Sequence, residues 1–241
     1  MFPSHDPKGS KKPIEITKAA GDSSNPNEVE VVFIGNTFKF CDSHMDVLFP
    51  GCADKTIKER GTRIPHLRDH NHSITGKVGR TLEVYTDLIS VSEFGIESDV
   101  KTTEAIFMKS LVKRTLDQKT FDLYKEEEID QHSIGMQYVR LELAVNDEDY
   151  KEEFALWEKY YPDVINKELV DKYGYFWIVL EIKLFEISAV LFGSNELTPT
   201  VSVGKNIPSP SDDTKDKNNP TPSADTLDEE MVRRRKQLLN I

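Results

Sequence analysis

Residues Tyr175 to Phe192 read YFWIVLEIKLFEISAVLF, the strongest strand signal in the chain. Aromatic and β-branched side chains in such a run suit a packed, pleated surface. Its two carboxylates, Glu181 and Glu186, stand an odd number of residues apart. In a regular strand they point to opposite sides of the sheet. The even face, from Ile178 to Val190, is apolar except around Glu186 and Ser188. The odd face carries Glu181 and Lys183 and reads as partly wet. Glu186 is therefore expected on the buried face, where a charge needs a partner or hydrogen bonds. A histidine would meet that need, as the orienting acid of a catalytic triad does. A carboxylate near a strand end is the plainer alternative.

Upstream, Ile129 to Val139 read IDQHSIGMQYV, another strand-like run. His132 directly precedes Ser133. Neighbours on a strand face opposite ways, so His132 is a poor base for Ser133. Gly135 permits close backbone approach, and free N–H groups at Ile134 and Gly135 would suit an oxyanion hole. By itself the signal is weak, because a serine before Ile-Gly at a strand start is usually structural.

A third cluster, RIPHLRDHNHSITGKVG, spans Arg63 to Gly79 and holds His66, His70 and His72, half of the six histidines. Imidazoles ligate metals or act as general bases. The H-x-x-x-H-x-H spacing lacks a supporting cysteine or carboxylate pattern, so spacing alone favours a polar loop with solvated histidines. The two cysteines, Cys41 and Cys52, lie in no electropositive setting and read as small buried apolar residues.

The rest of the chain frames these clusters. With 241 residues it has room for one large domain with tails. The formal net charge of −11, from 42 acidic and 31 basic residues, argues against nucleic acid as main partner. No apolar run reaches the ~20 residues of a membrane-spanning helix, and the N-terminus lacks a secretory h-region. Two cysteines without C-x-x-C spacing fit a reducing compartment. Residues 1–27 read as disordered, and Glu28 to Phe40 as a strand. CDSHMDVLFPG reads as a loop, 53–60 as a helical turn ended by Gly61, and 63–93 as strands broken by Gly76 and Gly79. Residues 104–115 favour a strand over a helix. Residues 116–129 read as a helix with Thr115 and Gln118 as its capping box. A charged insert at 147–173 reads as two helices divided at Pro162, its Tyr150, Phe154 and Trp157 stripe packing on the core. Residues 201–224 read as a linker. Residues 225–241 read as a charged helix, capped by Thr226 and Glu229, with acids ahead of bases.

Taken in order, RIPHLRDHN, DQHSIGM and EIKLFEISAV, with DSHMDVLFPGCADKTIKE upstream, resemble the prohead serine proteases of tailed bacteriophages. That family is related to the herpesvirus assemblins. The resemblance covers roughly residues 28–200. It implies an α+β domain on a small, mostly antiparallel β-barrel with flanking helices. It implies Ser133 as nucleophile, His70 as base and Glu186 as orienting acid. A rival register selects His72, and Glu181 is the runner-up acid. It implies no metal or organic cofactor. The implied substrates are scaffold, major capsid protein and the protease itself, with self-association possible, inside the assembling prohead in the host cytoplasm. Two other readings stand beside it: a non-catalytic scaffold protein of the same fold, and a metal-dependent hydrolase built on His66, His70 and His72.

Overall fold

The long apolar runs pair into one eight-stranded sheet. The computed structural model describes residues 25–204. These lie in a compact unit ending at Ile207, and a second unit, Pro208–Ile241, lies outside the described residues. The expected helix at 225–241 and most of segment 1–27 and of the linker therefore fall beyond what is described.

The strands are β1 (Glu28–Thr37), β2 (Asp46–Leu48), β3 (His66–Arg68), β4 (Lys77–Ser90), β5 (Thr102–Lys113), β6 (His132–Val145), β7 (Tyr175–Ala189) and β8 (Thr200–Val203). The helices are α1 (Asp54–Arg60), α2 (Gln118–Lys125), α3 (Lys151–Tyr160) and α4 (Lys167–Tyr173). The class is α+β with a mostly antiparallel sheet, in the order β2-β7-β3-β4-β5-β1-β8 with β6 on the far side of β7. The two parallel pairings, β2 and β3 with β7, lie at opposite ends of one β7 flank. Between them α1 covers that flank, where Ile182 N–H donates to the Cys52 carbonyl and Leu184 N–H to Thr56 Oγ1.

The expected barrel is not closed. Side chains, rather than a backbone ladder, span from the start of β6 to the segment leading into β8. His132 N–H donates to Thr198 Oγ1 at 3.1 Å, and Thr200 Oγ1 donates to the Ile129 carbonyl. The sheet nonetheless packs one core, in which Phe33, Ile106 and Met108 of β1 and β5 meet Val179, Leu184 and Ile187 of β7, with Phe121 and Tyr124 of α2.

Several local expectations are corrected. The loop 41–51 contains β2, too short to show a period. Gly79 lies inside β4 rather than breaking it. The cap of α2 is Asp117, whose side chain accepts from Thr120 N–H, in place of the Thr115 box. Residues 201–203, assigned to the linker, are buried β8 paired with β1. The insert does form two helices, parted by a short 3-10 turn at Tyr161–Asp163. Trp157 of α3 and Val170 of α4 pack with Phe176 and Ile178, at the opposite end of β7 from Glu186. Tyr150 of the expected stripe is exposed.

Candidate active site

The site is organised by an irregularity in β7. Gly135 faces Glu186 and Met136 faces Leu184, so Phe185 has no partner across the pair. One extra residue reverses the faces beyond it. Ile182 and Leu184 point into the main core before the bulge, and Ile187 and Ala189 do so after it. Glu186 and Ser188 consequently project from the opposite side of the sheet. Glu186 is buried, at 1% exposure, but beneath the loop that follows β3. The expectation that it shares the apolar face of Leu184 is corrected.

That loop is shaped by two successive left-handed residues, Asp69 (φ 50°) and His70 (φ 51°). This backbone costs a non-glycine residue on the order of 1–2 kcal/mol, and Asp and His are among those that adopt it most readily. Three hydrogen bonds donated by backbone N–H groups hold it. Asp69 N–H donates to the Ala189 carbonyl at 2.9 Å, and Asn71 N–H to the Arg68 carbonyl at 2.9 Å. His70 N–H donates to Ser188 Oγ at 3.2 Å. The turn swings the His70 ring onto β7, where Nδ1 lies 2.6 Å from Glu186 Oε1. The other carboxylate oxygen, Oε2, accepts from the Ser188 hydroxyl at 2.6 Å. The hydrogen bond to Glu186 raises the His70 pKa above the usual 6.5, against the opposing effect of partial burial.

Gly135 makes room for this carboxylate. A Cβ there would lie 2.1 Å from Glu186 Oε1. The glycine read from sequence as permitting backbone approach thus serves a side chain of the neighbouring strand.

Ser133 pairs with Ser188, as Gly135 does with Glu186. Directly opposed residues project from one face with Cβ atoms about 4.5–5.5 Å apart. Half-buried Ser133 therefore shares the face of Ser188, Glu186 and the His70 ring. Among the described residues no hydrogen bond joins Ser133 Oγ to that ring. Ile134 and Gly135 lie in the paired part of β6, not in a free loop. Since among the described residues β6 pairs on one flank only, N–H groups alternate between β7 and the opposite edge. One of these two consecutive residues thus presents its N–H outward.

The alternates are placed differently. His72 Nε2 is 3.9 Å from Glu186 Oε1, with the side chain 69% exposed. Glu181 lies on the far side of the bulge and pairs with Lys55 at 3.4 Å. His66 is fully buried, with its ring nitrogens bonded to Ser110 and Tyr124. His66, His70 and His72 do not converge. Among the described residues no group of three or more His, Cys, Asp or Glu is arranged to hold a metal ion. Cys41 and Cys52 are buried free thiols. Burial pushes Cys41 up to about 12 and raises Cys52 further, so neither offers a thiolate nucleophile.

Sequence reasoning left Ser188 without a role, although it both supports the carboxylate and accepts the His70 N–H. Its signal was present in E-I-S: residues two apart on a strand share a face. No family model matches the sequence, and no curated protein or solved structure matches it.

Proposed function

We propose that the chain is a serine endopeptidase of capsid maturation, acting on scaffold and major capsid protein, and on itself, inside the assembling prohead in the host cytoplasm. The observation that carries this reading is the short His70–Glu186 contact made through Nδ1. It leaves Nε2 for a nucleophile and puts the ring on the sheet face that bears Ser133. In that role His70 Nε2 takes the Ser133 proton as Oγ attacks a peptide carbonyl. Glu186 fixes the tautomer and stabilises the imidazolium. An outward N–H of Ile134 or Gly135 steadies the oxyanion. A Ser–His bond that is unmade in the free enzyme accords with catalytic geometry that tightens on substrate. The resemblance to prohead proteases supplies the substrate class.

The same unmade bond favours a second reading, a scaffold protein that keeps the fold without activity. Co-expression of Ser133→Ala or wild-type chain with the capsid protein, followed by mass spectrometry of the termini, separates them. Cleavage by wild type that disappears in Ser133→Ala is expected. Processing unchanged in the variant defeats the peptidase reading, and no processing by either chain favours the scaffold.

A further inference from the structure

The core side of β3, β7 and β6 holds a chain of polar groups that the proposed chemistry does not use. His132 of β6 is fully buried and stacks on Phe33 at 4.0 Å. Its Nδ1 is 2.9 Å from the Thr198 carbonyl oxygen, and its Nε2 is 2.9 Å from the Tyr124 hydroxyl. That hydroxyl is also 3.0 Å from His66 Nε2, and His66 Nδ1 is 3.0 Å from Ser110 Oγ. Ser110, His66, Tyr124, His132 and Thr198 are all inaccessible to solvent.

The direction of every bond follows from donor counting. A carbonyl only accepts, so the His132 proton is on Nδ1. A neutral imidazole has one N–H, so Nε2 of His132 is bare and the Tyr124 hydroxyl donates to it. The Tyr124 oxygen then accepts from His66, which places the His66 proton on Nε2. His66 Nδ1 in turn accepts from Ser110 at 3.0 Å, in preference to the Arg80 carbonyl that lies 3.4 Å from the same hydroxyl. Burial favours the neutral rings throughout, holding His132 near about 4 and His66 well below the usual histidine value.

His66 and His132 flank β7 on opposite sides, His66 opposite Ile187 and His132 opposite Ala189. Tyr124 bridges them across β7 from within the core. The outer face of this three-strand span bears Ser133 and Glu186, and β3 runs directly into His70. Apolar packing is non-directional and tolerates sliding, whereas a chain of directed buried bonds with no spare donor accepts one register. We propose that His66, Tyr124 and His132 are positioning residues, a one-way buried hydrogen-bond chain with opposite histidine tautomers that fixes the strand of Ser133 against the strand leading to His70. The positioning role rests on the peptidase reading, while the tautomer pattern stands independently of it.

Long-range proton–nitrogen correlation spectra of the intact chain at neutral pH test the pattern without any variant. Two neutral rings are expected, His132 protonated at Nδ1 and His66 at Nε2. The same tautomer in both rings, or a charged ring, overturns the chain of bonds. Tyr124→Phe tests the role by removing only the bridging oxygen. In the folded variant kcat is expected to fall roughly ten- to a hundredfold with KM little changed, the signature of displaced catalytic groups. A kcat within about twofold of wild type overturns the positioning role. Cleavage retained by Ser133→Ala would instead overturn the peptidase reading and leave the spectra decisive for the tautomers.

Discussion

Gly135→Ala adds one methyl group, and the structure says where it lands. The new Cβ would lie 2.1 Å from Glu186 Oε1, 2.9 Å from Cδ and 3.0 Å from Cγ. An ordinary contact begins near 3.4 Å, so the carboxylate must retreat by about 1 Å. The same oxygen holds His70 Nδ1 at 2.6 Å, and that retreat carries the pair beyond hydrogen-bond range. His70 cannot simply follow, because its backbone is tied to Ser188 and its neighbours to Ala189 and Arg68. The bond at stake involves charged groups, worth about 1.5–3 kcal/mol when shielded from water. The His70 side chain is 40% exposed, so about 1 kcal/mol is the fair expectation after screening. The sign of its pH dependence is fixed. His70 has a raised folded pKa, so its contribution is present below the unfolded value of about 6.5 and fades as pH rises through the folded one. The variant's stability loss is therefore larger near about pH 5.5 than near about pH 8. An NMR titration of the His70 ring in wild type and variant is the direct assay, with the midpoint expected to drop toward the ordinary value. On the peptidase reading, cleavage should fall on the order of a hundredfold, as for a catalytic group displaced by about 1 Å. A midpoint that does not move, together with an unaltered rate, would refute the placement of Glu186 against Gly135.

Two further outcomes follow from the same geometry. His132 and His66 have depressed folded pKa values, so below about pH 6.5 the unfolded chain binds more protons than the folded one. Stability should fall from about pH 6.5 toward about pH 4, by up to ~1.4 kcal/mol per pH unit for each ring. Urea unfolding at intervals across that range checks it, and an excess loss in wild type that does not shrink in a His132→Asn chain, which removes one titrating ring, would be at odds with buried neutral rings. Glu186→Gln keeps the shape and removes the charge. It should lower kcat by on the order of a thousandfold or more and move the basic group of the pH–rate profile down toward an ordinary histidine. Glu181→Gln, which loses only an exposed contact with Lys55 worth ~0–1 kcal/mol, should change neither. The opposite ranking of the two variants would transfer the acid's role to Glu181.

How much of this was legible in the sequence depended on whether the signal was periodic. β7, β1 and β5 announced themselves because long strands repeat a two-residue pattern, and the paired helices of the insert because theirs repeats near four. β2 and β8 are three and four residues long and carry no period. β8 was further disguised by its place beside a Pro- and Ser-rich segment. Asp117 lost the cap of α2 to a Thr-x-x-Gln pattern that fits the template but not the fold.

The site shows a sharper limit. Alternation along β7 pointed to Glu186 as the buried carboxylate, but the alternation breaks at Phe185, one residue before it. Nothing in the composition of L-F-E-I-S announces a bulge, because the extra residue is defined only by the strand opposite. The bulge is what lets one strand serve two environments. Without it Glu186 and Ser188 would follow Leu184 into the apolar core, where an ionised carboxylate is far more costly to keep. With it, Ile187 and Ala189 fill the core while the two polar groups emerge under the His70 loop, and Gly135 leaves the space they need. A residue's chemistry can therefore be read from sequence wherever a buried charge demands a partner. The side of the sheet on which it acts is set by pairing between strands some fifty residues apart, in which a single unmatched residue decides the outcome.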